Sequence, residues 1–178
     1  IAIELELNNT LIGAAITDGT KDVMLFGSHG KVIRFKESDV RAMGRTARGV
    51  RGIKLGAKQK VISLMIPDAS GKILISSRNG YGKRSNFEDF PVIGRGGQGV
   101  IGMKMSERNG AVVAATQVFE TDEAIFISDQ GTLVRIRAQD VSLQGRNTQG
   151  VRLINLANQE YLVGMAQVHE PKQEESEE

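Results

Sequence analysis

The chain writes one unit three times, and this restricts its fold more than any other feature. Val32-Ile33-Arg34-Phe35, after Gly30, returns as Gly82-Lys83-Arg84-Ser85 after Gly80 and as Leu133-Val134-Arg135-Ile136 after Gly131. Further along, Gly44-Arg45-Thr46-Ala47-Arg48-Gly49-Val50 returns as Gly94-Arg95-Gly96-Gly97-Gln98-Gly99-Val100 and as Gly145-Arg146-Asn147-Thr148-Gln149-Gly150-Val151, at the same offsets of 50 and 51 residues. Behind each loop stand apolar residues at alternate positions, Ile53 and Leu55, Met103 and Met105, Ile154 and Leu156, as a half-buried strand requires. With such a period, each unit is a supersecondary element that buries its apolar face only against its neighbours.

The units run over residues 11–60, 61–110 and 111–161. Residues 1–10 match the end of a preceding copy, with Ile3 and Leu5 where Ile53 and Leu55 stand, and 162–169 open a further one. In the first unit the pattern predicts four strands, near Leu11–Ile16, Asp22–Phe26, Lys31–Lys36 and Val50–Leu55. The connections Gly27-Ser28-His29-Gly30, Arg78-Asn79-Gly80 and Asp129-Gln130-Gly131 each offer a glycine where a hairpin needs positive φ. No window shows a capped 3.6-residue apolar stripe. Four strands per unit predict an all-β, propeller-like fold, and three to four blades make a partial ring.

Composition narrows the chemistry. The 178 residues contain no Cys, which excludes a disulfide framework and thiolate metal sites, and His29 and His169 alone cannot complete a zinc tetrahedron. No stretch approaches the roughly 18 apolar residues of a membrane span, and Ile1-Ala2-Ile3-Glu4-Leu5 has no signal-peptide character, so a cytoplasmic protein is expected. A start without Met, inside an alternating pattern, leads us to expect a longer parent chain. The net charge of +2 hides a division: residues 170–178 carry five acids and one base, so a basic body of +6 is followed by a tail of −4. That tail is expected to be disordered and to compete with an anionic ligand for the body.

The repeated loop carries the functional signal. Its glycines suit turns and close backbone approach. Its arginines, Arg45, Arg95 and Arg146, recur at one position of three units, and Arg34, Arg84 and Arg135 recur in the third strand, with Lys31, Arg48 and Lys83 nearby. Cations in register along a curved rim suit the phosphates of duplex DNA, which are held by Arg and Lys without base reading. Lys31, Arg34, Arg45, Arg48, Lys83, Arg84, Arg95, Arg135 and Arg146 are therefore the expected DNA-binding residues. Such a rim requires their charged groups to face solvent together. Recognition of single strands would favour aromatic platforms, and here two Tyr and six Phe are scattered.

Other signatures do not hold. Gly94-Arg95-Gly96-Gly97-Gln98-Gly99 fits a dinucleotide pattern but leads into a strand, and its sister loops lack the middle Gly. Gly71-Lys72 is followed by Ile73 and is no phosphate loop, so no cofactor is expected in this segment. Asp39, Asp89 and Asp140 share one repeated position, which suits a turn or an inter-blade ion pair better than a differentiated catalytic pair. No catalytic residues and no metal ligands are expected.

Several strings, among them Arg34-Phe35-Lys36-Glu37-Ser38, Val40-Arg41-Ala42-Met43-Gly44, Asn79-Gly80-Tyr81-Gly82-Lys83-Arg84, Glu107-Arg108-Asn109-Gly110 and Gly145-Arg146-Asn147-Thr148-Gln149-Gly150-Val151, closely resemble the C-terminal domain of bacterial DNA gyrase A. The resemblance implies a β-pinwheel, a ring of four-stranded blades that exchange strands, here its later blades, whose basic rim wraps DNA. It also implies partners: double-stranded DNA, gyrase B and a second gyrase A in an A2B2 topoisomerase that uses ATP and Mg through other regions. The family's Gln-Arg-Arg-Gly-Gly-Lys-Gly box has no intact copy, its nearest relative being Ile93–Gly99. The family's catalytic tyrosine lies outside this region, so neither Tyr81 nor Tyr161 inherits that role. Alternatives are the equivalent domain of topoisomerase IV, acting in decatenation, and a basic protein-interaction propeller.

Overall fold

The computed structural model describes residues 3–169. The acidic tail expected over 170–178 lies outside the described residues. Eleven strands form among the described residues: β1 (Asp22–Gly27), β2 (Lys31–Lys36), β3 (Val61–Met65), β4 (Lys72–Ser77), β5 (Tyr81–Asn86), β6 (Val100–Ile101), β7 (Val112–Val118), β8 (Glu123–Ser128), β9 (Leu133–Arg137), β10 (Val151–Arg152) and β11 (Leu162–Val168). The helical content among the described residues is three short 3₁₀ turns, Glu37–Asp39, Phe87–Asp89 and Ala138–Asp140, so the repeated acid closes one turn in each unit.

The strands make three antiparallel sheets, ordered β3-β1-β2-β6, β10-β5-β4-β7 and β11-β8-β9. Each centre is a hairpin, β1-β2, β4-β5 or β8-β9, closed by Gly30, Gly80 or Gly131 at φ of +75°, +80° and +86°. The flanking strands come from the next repeat. Its opening strand pairs with the first hairpin strand, as Leu64 opposite Leu25, and its two-residue closing strand pairs with the second, as Val100 opposite Val32. A sheet is thus shared between consecutive units, and unpaired edges are fewer than in isolated hairpins.

Two of the four strands expected in the first unit differ. Leu11–Ile16 forms no strand, because its sisters β3, β7 and β11 all pair with the hairpin one repeat upstream, and residues 3–10 contain no hairpin. The stretch expected over Val50–Leu55 forms no strand, and its sisters pair over two residues only. Beyond those two residues the chain arches over the hairpin glycine: the Gly102 and Met103 N–H groups both donate to the Gly30 carbonyl, at 2.8 and 3.1 Å, and those of Leu153 and Ile154 to that of Gly80. The expected alternation survives as burial, with Ile53, Met103 and Ile154 all buried.

Packing explains why the hairpins differ in composition. The middle sheet lies between the other two, so β4, Lys-Ile-Leu-Ile-Ser-Ser, sends Ile73 and Ile75 into a core with Met24, Phe26 and Phe90, and Leu74 into a second core with Val118, Phe126 and Leu162. Burial on both faces favours a continuous apolar run. In β9 the residues alternate between exposed and half-buried, as befits a strand at the end of the array.

Candidate nucleic-acid interface

The second and third Gly-Arg-x-x-x-Gly loops each lean on the segment that follows the preceding loop. The Gly96 N–H donates to the Gly52 carbonyl at 2.5 Å and the Lys54 N–H to the Gly97 carbonyl at 2.7 Å; one repeat on, the Lys104 N–H donates to the Thr148 carbonyl at 2.9 Å. Residues 44–55, 94–105 and 145–156 therefore form one continuous track. The loop arginines follow it. Arg95 donates from Nη1 to the Arg51 carbonyl at 3.2 Å and from Nε to the Asp39 carbonyl at 2.8 Å, while Arg146 donates to the carbonyl of Ile101, the sister of Arg51, at 3.2 Å. These bonds hold the side chains across the loop junctions.

Glycine at the loop end lets the chain pass close to the second hairpin strand of the preceding unit. Gly99 and Gly150 have φ of +73° and +77°, and a Cβ on Gly150 would stand 2.6 Å from the Gly82 carbonyl oxygen. Both the backbone conformation and the space exclude a side chain.

Along the track Arg45, Arg48 and Arg95 are exposed and Arg146 is half-buried. Arg48 meets Glu4 at 3.2 Å and Glu6 at 4.0 Å. Lys31, half-buried, lines a cleft of about 200 Å³ with Lys54 and Gln98. Arg51, Lys54, Lys104 and Arg152 add exposed cations to the same segments. Lys54 and Lys104 were not among the expected residues, although they share one position of the repeat, four residues past Val50 and Val100.

The third-strand cations of the first two units face inward instead. Arg34 donates to the Phe90 carbonyl at 2.9 Å, pairs with Asp22 at 2.5 Å and lies 3.6 Å from the Phe87 ring centroid. Arg84 repeats this, donating to the carbonyls of Val141 at 2.9 Å and Gln139 at 3.2 Å and pairing with Glu120 at 2.8 Å. Each guanidinium clamps its strand to the 3₁₀ turn of the next repeat. Arg135, in the last of the described hairpins, pairs with Glu123 at an exposed position. Lys83 is 0% exposed and donates from Nζ to the Gly145 and Arg146 carbonyls at 2.6 and 2.5 Å, supporting the third loop from beneath. Sequence periodicity could not separate these cations from the surface set, because a rim and an inter-repeat clamp have the same period.

The charges respond to these settings. Burial pushes the Lys83 ammonium down to about 8, opposed by Asp89 and reinforced by Arg146. Burial raises the Asp22 carboxyl, but hydrogen bonds from Lys36 and Arg34 outweigh it and hold the group below its ordinary value. Among the described residues no cluster of three or more His, Asp or Glu could hold a metal ion, and no helix is long and apolar enough to cross a membrane.

Sheets that trade strands along a 50-residue repeat, with glycine–arginine loops strung in order along one track, define a β-propeller-type array with a basic surface. The family model described as the DNA gyrase C-terminal domain, beta-propeller, matches residues 21–68, 71–118 and 122–169, each a hairpin plus the strand it borrows. The chain belongs to that family. It is 60% identical over 171 residues to the DNA gyrase A protein of Pseudomonas aeruginosa, a match that covers 96% of this chain and 18% of that protein. The solved structure of a DNA gyrase A C-terminal domain superposes with a TM-score of 0.85 at 30% identity, covering 94% of this chain and 57% of the other. The C-terminal domain of DNA topoisomerase IV superposes with a TM-score of 0.89 at 19% identity, covering 94% of this chain and 53% of the other, a likeness of fold. The chain thus spans about a fifth of the curated relative's length.

Proposed function

We propose that this chain is the DNA-wrapping C-terminal part of a DNA gyrase A protein, acting in the cytoplasm and supporting ATP-dependent negative supercoiling by a whole A2B2 enzyme whose ATP and Mg chemistry lies in other regions. The continuous cationic track of the three loops is the observation that carries it. Arg45, Arg48, Arg95, Arg135 and Arg146, with Lys31, Lys54 and Lys104, contact phosphates, while Arg34, Lys83 and Arg84 hold the loops and repeats in place. Bending a site of 20–30 bp costs on the order of 1–6 kcal/mol, so many distributed contacts suit the task better than one deep site.

Salt titration of duplex binding tests this. Log affinity should fall linearly with log salt, by about 0.9 per phosphate neutralised, with little dependence on sequence. Replacing Arg45 and Arg95 by Ala should make that slope shallower by about 2. A flat salt response, or binding unchanged in the double variant, would remove the proposal.

A further inference from the structure

One constellation breaks the repetition. Tyr81, at the start of β5, lies beneath two guanidiniums: Arg108 is 4.8 Å and Arg152 5.4 Å from its ring centroid, and Arg152 Nη2 donates to the phenol oxygen at 2.8 Å. The sisters of Tyr81 are Lys31 and Thr132, those of Arg108 are Lys58 and Gln159, and those of Arg152 are Arg51 and Ile101, so no other junction holds this set. The other two units build their hairpins and junctions without this set.

The three residues border a cleft of about 300 Å³, the volume of about ten liquid waters, at the end of the track that carries Arg146. Among the described residues neither guanidinium forms an ion pair with a carboxylate, and the Tyr81 O–H has no acceptor. The loop bearing Arg108 is held in place by Asn79, whose Nδ2 donates to the carbonyls of Glu107 and Arg108, both at 3.1 Å. Glu160 is the one acid on the described lining. Its carboxylate turns away, accepting from the Ser128 hydroxyl and, at 2.8 Å, from the Ala157 N–H. Two cations without a carboxylate, one hydroxyl with a proton to give and an open cleft match a phosphate group, which accepts charge-assisted hydrogen bonds from all three.

We propose that Arg108, Arg152 and the Tyr81 hydroxyl form a phosphate-binding site, which takes a backbone phosphodiester of duplex DNA or a free phosphate through the same contacts. The DNA case rests on the proposed function and deepens it by naming a contact point at the downstream end of the track. Arg108, and after it Arg152, already holds the Tyr81 phenol below its ordinary value. An anion between the two arginines reverses that effect, so the phenol reports on occupancy.

The chain has two tyrosines and no Trp, so in a Tyr161→Phe background every phenol signal comes from Tyr81. Its absorbance titration is to be recorded with chloride, with inorganic phosphate at equal ionic strength, and with a short duplex, while anisotropy of the labelled duplex follows binding. Phosphate or duplex should move the phenol back up. The Arg108→Ala and Arg152→Ala pair should abolish the response and weaken phosphate binding at least about tenfold, and Tyr81→Phe, which keeps the ring and its packing, should weaken it several-fold. A duplex that binds while Tyr81 stays silent to both anions overturns the site and leaves the DNA reading standing. A phenol that answers to phosphate in a protein that binds no duplex supports a free-phosphate site and sinks the DNA reading.

Discussion

Arg84 and Arg135 occupy one position of the repeat, yet they should differ sharply in what they contribute to stability. Arg84 is buried at 6% exposure and supplies charged donors to the Val141 and Gln139 carbonyls of the next unit. Arg84→Ala leaves both acceptors without that donor, at roughly 1–3 kcal/mol each. The lost ion pair adds little, because Glu120 is 59% exposed and keeps its hydration. The expected cost is about 3 kcal/mol. At roughly 2–4 °C per kcal/mol for a chain of this size, the melting temperature should drop by about 6–12 °C. Among the described residues no further repeat packs on Arg135, and its pair with Glu123, exposed on the arginine side, is worth under about 1 kcal/mol. Urea and thermal unfolding of the two variants, followed by far-UV circular dichroism, compare them within one protein. Equal destabilisation, or an Arg84→Ala loss below about 0.5 kcal/mol, would refute the inter-repeat clamp.

Lys83 gives a pH signature. Its ammonium titrates near 8 when folded and near its usual 10.5 when unfolded, so the unfolded chain binds more protons between those values and this group's contribution to stability rises with pH across that window. Because neutral Lys83 keeps two N–H donors for its two carbonyls, wild type should gain stability over Lys83→Met from pH 8 upwards, and a difference flat in pH across that range would contradict its burial. Gly150→Ala should cost more than Gly49→Ala: both have positive φ, a strain of roughly 1–3 kcal/mol, but a Cβ at 150 also meets the Gly82 carbonyl at 2.6 Å whereas none of the described neighbours lies within 4 Å at 49. Equal melting temperatures would remove the close-approach explanation. Deleting residues 170–178 takes away a net −4 and should tighten duplex binding at low salt, with the gain fading as salt rises; equal affinities would show that the tail does not compete.

Much of the fold was legible because repetition multiplies weak signals. One short apolar run such as Ile73–Ile75 is ambiguous, but three hairpins with glycine at one place in each are not. The connectivity was not legible in the same way. The strand at Val61 serves the hairpin behind it, and nothing local in Val61–Met65 says which hairpin its N–H groups will find. The candidate interface divided along the same line. Arg45 and Arg95 were found from their glycine loops and are exposed, whereas Lys83 sits one position from Arg84 in β5 and both turn into the protein.

The residues alone determined the period, the hairpins, the positive-φ glycines and the basic register, because each is a local property of spacing or backbone freedom. Tertiary structure decided which cations meet solvent. A charge beside a sheet becomes a clamp where the next repeat brings carbonyls within hydrogen-bonding distance, as at Arg84, and remains a surface charge where none of the described residues does so, as at Arg135. That difference lies in the neighbour, and the neighbour stands about 55 residues further along the chain.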